Sequence, residues 1–380
     1  MGSSLSEILS KFESGEVSKI EKAVIEISQH PERGSPVALK VVSRLINSPN
    51  KFIRYHGARA LKYINNPDAI GSLEILLDDP EEIVINATIN SLTSYSEFLT
   101  EKIIHKFIQR WYSANATDTL RTMLNCFGDL RKAITIRPII NKYDELPESL
   151  KSDAIETLGR MNDKKVHEFV LSKLEEENYE IRLALIRAIG DLKIISASMF
   201  LLDNVEGETD DETLISLFYS IGRLKLDTAV DKIKYYCDLD QSNEVRISCI
   251  DALGEIGTDE VVSILETYLD DEYDKVPSHI VEAAGKIYSL QSYSFLMEKV
   301  VNGDTDIEED LKQRAQELAD NIKFSIMNKE AHYELVENLS SDDYYVRIKA
   351  SRKILKLPNP PVNELISALE SNNVHKASYA

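Results

Sequence analysis

The sequence predicts an all-α protein, an α-α superhelix of about eleven helix pairs. Three observations carry that expectation. Only 14 Gly and 11 Pro stand among 380 residues, too few for a turn-rich β fold, while 43% hydrophobic and 28% charged residues suit a folded chain. One apolar frame returns every 31 to 35 residues, a period typical of stacked helical repeats. Within each copy the apolar positions follow the 3.6-residue period of a helix and never the two-residue period of a strand.

The frame is clearest at residues 181–192 (IRLALIRAIGDL) and 245–257 (VRISCIDALGEIG). With the Arg as origin, it recurs at Arg54, Ile85, Leu120, Lys151, Arg182, Leu214, Arg246, Pro277, Lys312 and Arg347. Seven residues on, every copy places an apolar residue, and ten on, another. Positions -1, +3, +7 and +10 share one helical face, so each copy is a helix buried along one stripe. Six on, the residue is usually small, as at Ala60, Ser91, Ala188, Ala252 and Ala283, which lets another helix approach closely. Eight on, six successive copies carry Gly128, Gly159, Gly190, Gly222, Gly254 and Gly285, where a missing Cβ eases close packing and chain exit. Four before the origin, Asn50, Asn178, Asp210, Ser242 and Asp343 suit capping of the first amides.

A polar turn then leads into a second apolar-periodic helix, as Asn66-Pro67-Asp68 before AIGSLEILL and Thr258-Asp259 before EVVSILETYL. A weaker unit at 19–29 and 37–46 opens the series, and 362–369 closes it. A single pair cannot bury its apolar face, so the pairs must stack. No linker or low-complexity tract interrupts them, so one continuous array is expected over 1–370, with a tail at 371–380.

Charge narrows the partners. The chain has 44 basic and 64 acidic side chains, a net charge of -20. Residues 1–200 carry 26 basic and 28 acidic, whereas 201–350 carry 14 and 34, so the second segment holds the imbalance. Generic binding to nucleic acid or anionic membrane is disfavoured. No apolar run reaches the roughly 18 residues of a membrane span, and no secretory signal opens the chain. Met1-Gly2 with Ser6 fits the loose N-myristoylation pattern without the basic patch that would supply a second membrane signal. Cys126, Cys237 and Cys249 are sparse and set in apolar patterns, which suits reduced thiols in the cytoplasm.

The x-V-R-x-x-A-x-x-A-L-G-x-I-G frame resembles HEAT repeats, in the short form found in phycobilisome lyases. The resemblance covers nearly the whole chain, with its best copies at 178–203 and 242–269 and drifted copies at 81–110 and 306–327. It implies a scaffold or adaptor that holds other proteins. It also implies two alternatives, a bilin lyase or lyase-like chaperone and a DNA-binding solenoid. Deoxyhypusine hydroxylases resemble the same repeats but hold iron with several His-Glu pairs, and this chain has only His167-Glu168.

Little chemistry is expected. No two of the seven histidines stand three or four residues apart, and no phosphate loop, nucleophile elbow or Cys-x-x-Cys is present, so no metal or cofactor is expected. The string 304–310 starts like a calcium loop but lacks the Gly and Glu that such a loop needs. Basic residues Lys102, Lys106, Arg110, Arg131, Lys132, Arg137, Lys142, Lys164 and Lys165 read as a solvated face, and Trp111 as core. The remaining signal is a ladder of acidic turns with the repeat period. Its expected binding residues are Asp210, Asp211, Glu212, Asp270, Asp271, Glu272 and Asp274, beside further rungs at Glu206, Glu208 and 304–310. One or two carboxylates per turn serve the helix dipole; the surplus points to a protein partner with a basic surface.

Overall fold

A computed structural model of the chain describes residues 3–175, 178–238, 242–273, 275–303, 307–341 and 343–354. Among these residues every regular element is helical and no strand occurs. No described helix is long and apolar enough to cross a membrane. The fold is an all-α solenoid whose residues divide into two compact units, 1–197 and 198–380.

The first unit opens with α1 (Leu5–Glu13), outside the repeat frame. Ser4-x-x-Glu7 caps it reciprocally: Ser4 Oγ accepts the Glu7 amide and the Glu7 carboxylate accepts the Ser4 amide. Helices then alternate between two layers. One layer holds α2 (Val17–Gln29), α4 (Lys51–Leu61), α6 (Glu82–Leu92), α8 (Thr117–Leu130), α10 (Glu148–Met161) and α12 (Tyr179–Asp191), each packed on the next. The other holds α3 (Pro36–Arg44), α5 (Ala69–Leu76), α7 (Glu101–Ser113), α9 (Ile136–Lys142) and α11 (Lys165–Leu171). Trp111 is fully buried in α7, edge-on to Phe127 at 5.5 Å, and donates through Nε1 to Pro138 O at 3.0 Å.

The second unit holds α13 (Ser198–Val205), α14 (Asp211–Leu224), α15 (Val230–Asp238), α16 (Asn243–Ile256), α17 (Asp259–Glu266), α18 (Lys275–Gly285), α19 (Leu290–Phe295), α20 (Glu309–Glu337) and α21 (Tyr344–Ile354). Here the layers run α14 on α16 on α18 on α20. In α20 the expected pair around Lys312 is instead one helix of 29 residues. Residues 311–337 contain neither Gly nor Pro, so nothing in the sequence forces the chain to turn there. The expected closing helix at 362–369 and the tail at 371–380 lie outside the described residues.

The expected caps form. Asn50, Asn178, Asp210 and Ser242 each accept an amide of the following helix at 2.9 to 3.4 Å, and Asp343 accepts the Tyr345 amide at 2.8 Å. The small and glycine positions turn out to face each other across repeats. A Cβ on Gly159 would lie 3.4 Å from Ala188 Cβ, one on Gly222 would lie 3.0 Å from Ala252 Cα, and one on Gly254 only 2.6 Å from Ala283 Cβ. Gly190 is buried in α12.

Side chains also cap the repeat before their own. Tyr95 donates to Leu61 O and Ile64 O, and Tyr236 to Val205 O and Glu208 O. Lys142 is buried and donates to the carbonyls of Trp111, Tyr112 and Ala114 at 2.9 to 3.2 Å, closing the end of α7. Its ammonium is therefore structural. Lys142→Met keeps the apolar stem but orphans those carbonyls, and is expected to destabilise the first unit by about 2 kcal/mol, read as a lower midpoint in urea unfolding followed by circular dichroism.

Candidate functional site

The direction of the stacked helices decides where the acidic turns lie. In the second unit, Ser248 donates to Ile215 O, and Gly222 abuts Ala252 and Glu255. Asp251 meets His279, Glu255 meets Lys286, and Gly254 abuts Ala283. Glu282 meets Arg314 and Gly285 abuts Leu318. Contacts that keep a nearly constant offset along both partners require parallel helices. The N-termini of α14, α16, α18 and α20 therefore lie on one edge of this unit, and that edge carries the acidic turns.

The expected residues divide by role. Asp210 caps α14, accepting from Thr213 N at 2.9 Å and Thr213 Oγ1 at 2.7 Å, while Asp211 and Glu212 are exposed in its first turn. Asp270 and Glu272 are exposed in the turn after α17. Asp271 is largely buried, pairs with Arg246 at 2.5 Å and accepts the Tyr273 amide at 2.9 Å. Its arrangement repeats that of Asp79, which pairs with Arg54 at 2.6 Å and accepts the Glu81 amide at 3.0 Å. In both cases the frame Arg reaches the aspartate 25 residues on, in the turn that leads to the next repeat. Asp271 thus holds two repeats together. Asp274 lies outside the described residues.

Asp270 and Asp271 open into a groove of about 810 Å³, whose further lining includes His279, Glu282, Ile307, Glu308, Asp310 and Arg314. Two of its carboxylates are committed internally. Asp271 goes to Arg246, and Glu282 takes a bidentate pair with Arg314 at 2.6 and 3.1 Å. That hydrogen-bonded guanidinium holds the Glu282 carboxyl below its ordinary range, against the opposing push of burial. Asp270, Glu308 and Asp310 make no ion pair among the described residues, so the groove presents uncompensated negative charge. Sequence reading placed Glu308 and Asp310 on the ladder but missed Glu282, which sits mid-helix with no local mark.

Glu206 and Glu208 line a separate groove of about 570 Å³ with Asp231, Lys232, Tyr235 and Tyr236. Glu206 is paired with Lys232 at 3.1 Å, and Glu208 accepts the amides of Thr209 and Asp210, so part of this rung also serves the turn itself. Tyr235 is 61% exposed. Elsewhere the three cysteines are buried free thiols, and among the described residues no three His, Cys, Asp or Glu side chains gather as a metal site.

The architecture is that of the helical-repeat solenoids, and part of the chain is similar to HEAT repeats. The HEAT repeats family matches it at residues 199–285 and 230–318. A comparison with curated proteins finds no match in sequence. Importin beta superposes with a TM-score of 0.57 at 12% identity, over 99% of this chain and 61% of its own. Kap95p, in a structure with RanGDP, gives 0.55 at 12% identity, over 98% and 54%. The chain thus spans little more than half of these solenoids, and at this identity the likeness is one of fold. The phycocyanin lyase complex CpcE and CpcF from a Nostoc species gives 0.42 at 14% identity, over 59% of this chain and 95% of that one.

Proposed function

We propose that the chain is a non-catalytic, cytoplasmic adaptor whose acidic edge in the second unit docks a protein with a basic surface. The observation that carries this reading is the groove that Asp270, Glu308 and Asp310 line without an ion pair among the described residues, although the neighbouring Asp271 and Glu282 are each held by an arginine. A repeat protein concerned only with stability would gain from pairing or removing them, since like charges repel. Asp210, Asp211, Glu212 and Glu272 extend the same surface, and Asp271 positions it by fixing the turn. Charge of this kind speeds encounter and sets orientation more than it tightens the final complex.

The test replaces Asp210, Asp211, Glu212, Asp270, Glu272, Glu308 and Asp310 by their amides and leaves Asp271 intact. A protein captured from cell extract by the parent chain, and identified by mass spectrometry, is expected to associate more slowly with this variant. The association rate should also lose most of its dependence on salt, with helicity unchanged. Equal association rates at every salt concentration would remove the docking reading and leave the carboxylates as helix caps and solubilising charge.

A further inference from the structure

Several basic residues of the first unit that read alike in sequence have different surroundings. Lys102 pairs with Glu74 at 3.0 Å and Lys106 with Asp78 at 2.7 Å, so these two lysines are internally neutralised. Lys142 is buried on backbone carbonyls. Arg137, Lys164 and Lys165 are all exposed, and none makes an ion pair among the described residues. These three line one groove of about 740 Å³ between α9 and α11, with Ala133, Ile134, Ile136, Ile140 and Asn141, and with Glu168 as its single carboxylate.

Ordinary stability does not account for this grouping. Lys164 and Lys165 stand at the start of α11, where the helix dipole favours carboxylates over cations. Ile134 is 39% exposed beside them, although the chain buries most of its isoleucines. A groove with three free cations along an apolar floor is complementary to an anionic ligand that also brings aliphatic side chains. Extended nucleic acid fits poorly, because no lining residue is aromatic and could stack a base, and the whole chain carries -20.

We infer that this groove of the first unit is a second docking site, opposite in sign to the acidic edge, and that it takes an acidic, aliphatic-bearing peptide segment of a partner protein. Arg137, Lys164 and Lys165 contact its carboxylates, while Ile134 and Ile140 receive its apolar side chains. The site is independent of the second unit, so a protein could hold one partner by each.

The probe is a short fluorescein-labelled peptide of glutamate and leucine, followed by anisotropy with the full chain. Binding is expected to weaken about tenfold in the Arg137→Ser, Lys164→Ser, Lys165→Ser variant, as three partly solvated ion pairs are lost. Binding should also fall with salt and be lost when serine replaces leucine in the peptide. Neutralising the acidic edge should leave it unchanged. Lys164→Glu alone, with its helicity checked by circular dichroism, gives the same direction without the triple change. The inference is overturned if parent and variant bind the peptide equally, or if a single-stranded oligonucleotide binds the groove and the peptide does not. It is equally overturned if sedimentation shows the groove occupied by a second copy of the chain.

Discussion

Asp79→Ala is expected to destabilise the first unit by about 2–3 kcal/mol, because it leaves the part-buried Arg54 guanidinium without its counter-charge. The two side chains are 13% and 4% exposed and meet at 2.6 and 3.0 Å, and Arg54 also donates to Ser48 O. Replacing both by leucine should cost much less than removing the aspartate alone, since the stranded charge disappears with its partner. Urea unfolding of the single and double variants separates these outcomes, and equal costs would show that the pair does not act as a unit. The effect should fade in acid. Burial alone would raise the Asp79 carboxyl, but the Arg54 hydrogen bond and the Glu81 amide hold it below its ordinary value. A folded-state value below that of the unfolded chain gives stability that is present above about pH 4 and lost as the pH falls. The gap between parent and Asp79→Ala should therefore narrow from pH 6 toward pH 3.

The second large effect is steric. A β-carbon at position 254 would lie 2.6 Å from Ala283 Cβ and 2.7 Å from its Cα, and a backbone cannot yield as a flexible side-chain tip does. Gly254→Val should then cost about 3 kcal/mol by forcing α16 and α18 apart. Gly71 supplies the control. It lies in a helix with nothing within 4 Å of the added atom, so Gly71→Ala should stabilise by roughly 0.5–1 kcal/mol through backbone entropy alone. Thermal unfolding that moves the same way for both variants would show that spacing between repeats does not limit this stack.

Much of the fold is written locally, which is why the sequence reveals it. A helix announces itself by the period of Ile181, Ala184, Leu185 and Ile189, and its start by Asn178, all within a few turns of chain. The glycines and small residues could each be recognised, but that Gly254 meets Ala283 is a relation between neighbours 29 residues apart, visible only once the helices are stacked. The acidic ladder shows the same limit. Sequence order groups Asp270 with Asp271, yet Asp271 turns toward Arg246 while Asp270 faces solvent. Nothing in the string Leu-Asp-Asp-Glu assigns those directions. Lys142 looks like a surface lysine in sequence for the same reason, since the three carbonyls it holds stand at the end of α7, about 30 residues earlier. The single long α20 is hidden in the sequence because the apolar frame continues through it, and only the lack of a breaker marks the difference.

The capping side chains give the stack a polarity. Tyr95, Lys106, Lys142 and Tyr236 all donate to carbonyls at helix ends of the repeat that precedes them, Thr157 and Ser248 donate backward to carbonyls within its helices, and Trp111 is an exception that points forward. Loss of a repeat from the N-terminal side of a unit frees donors that water can satisfy at the surface. Loss from the C-terminal side strips the cap from the helix ends left behind. Fraying should therefore spread from C-terminal to N-terminal repeats within each unit, and amide hydrogen exchange should be fastest at helix ends whose capping neighbour has opened.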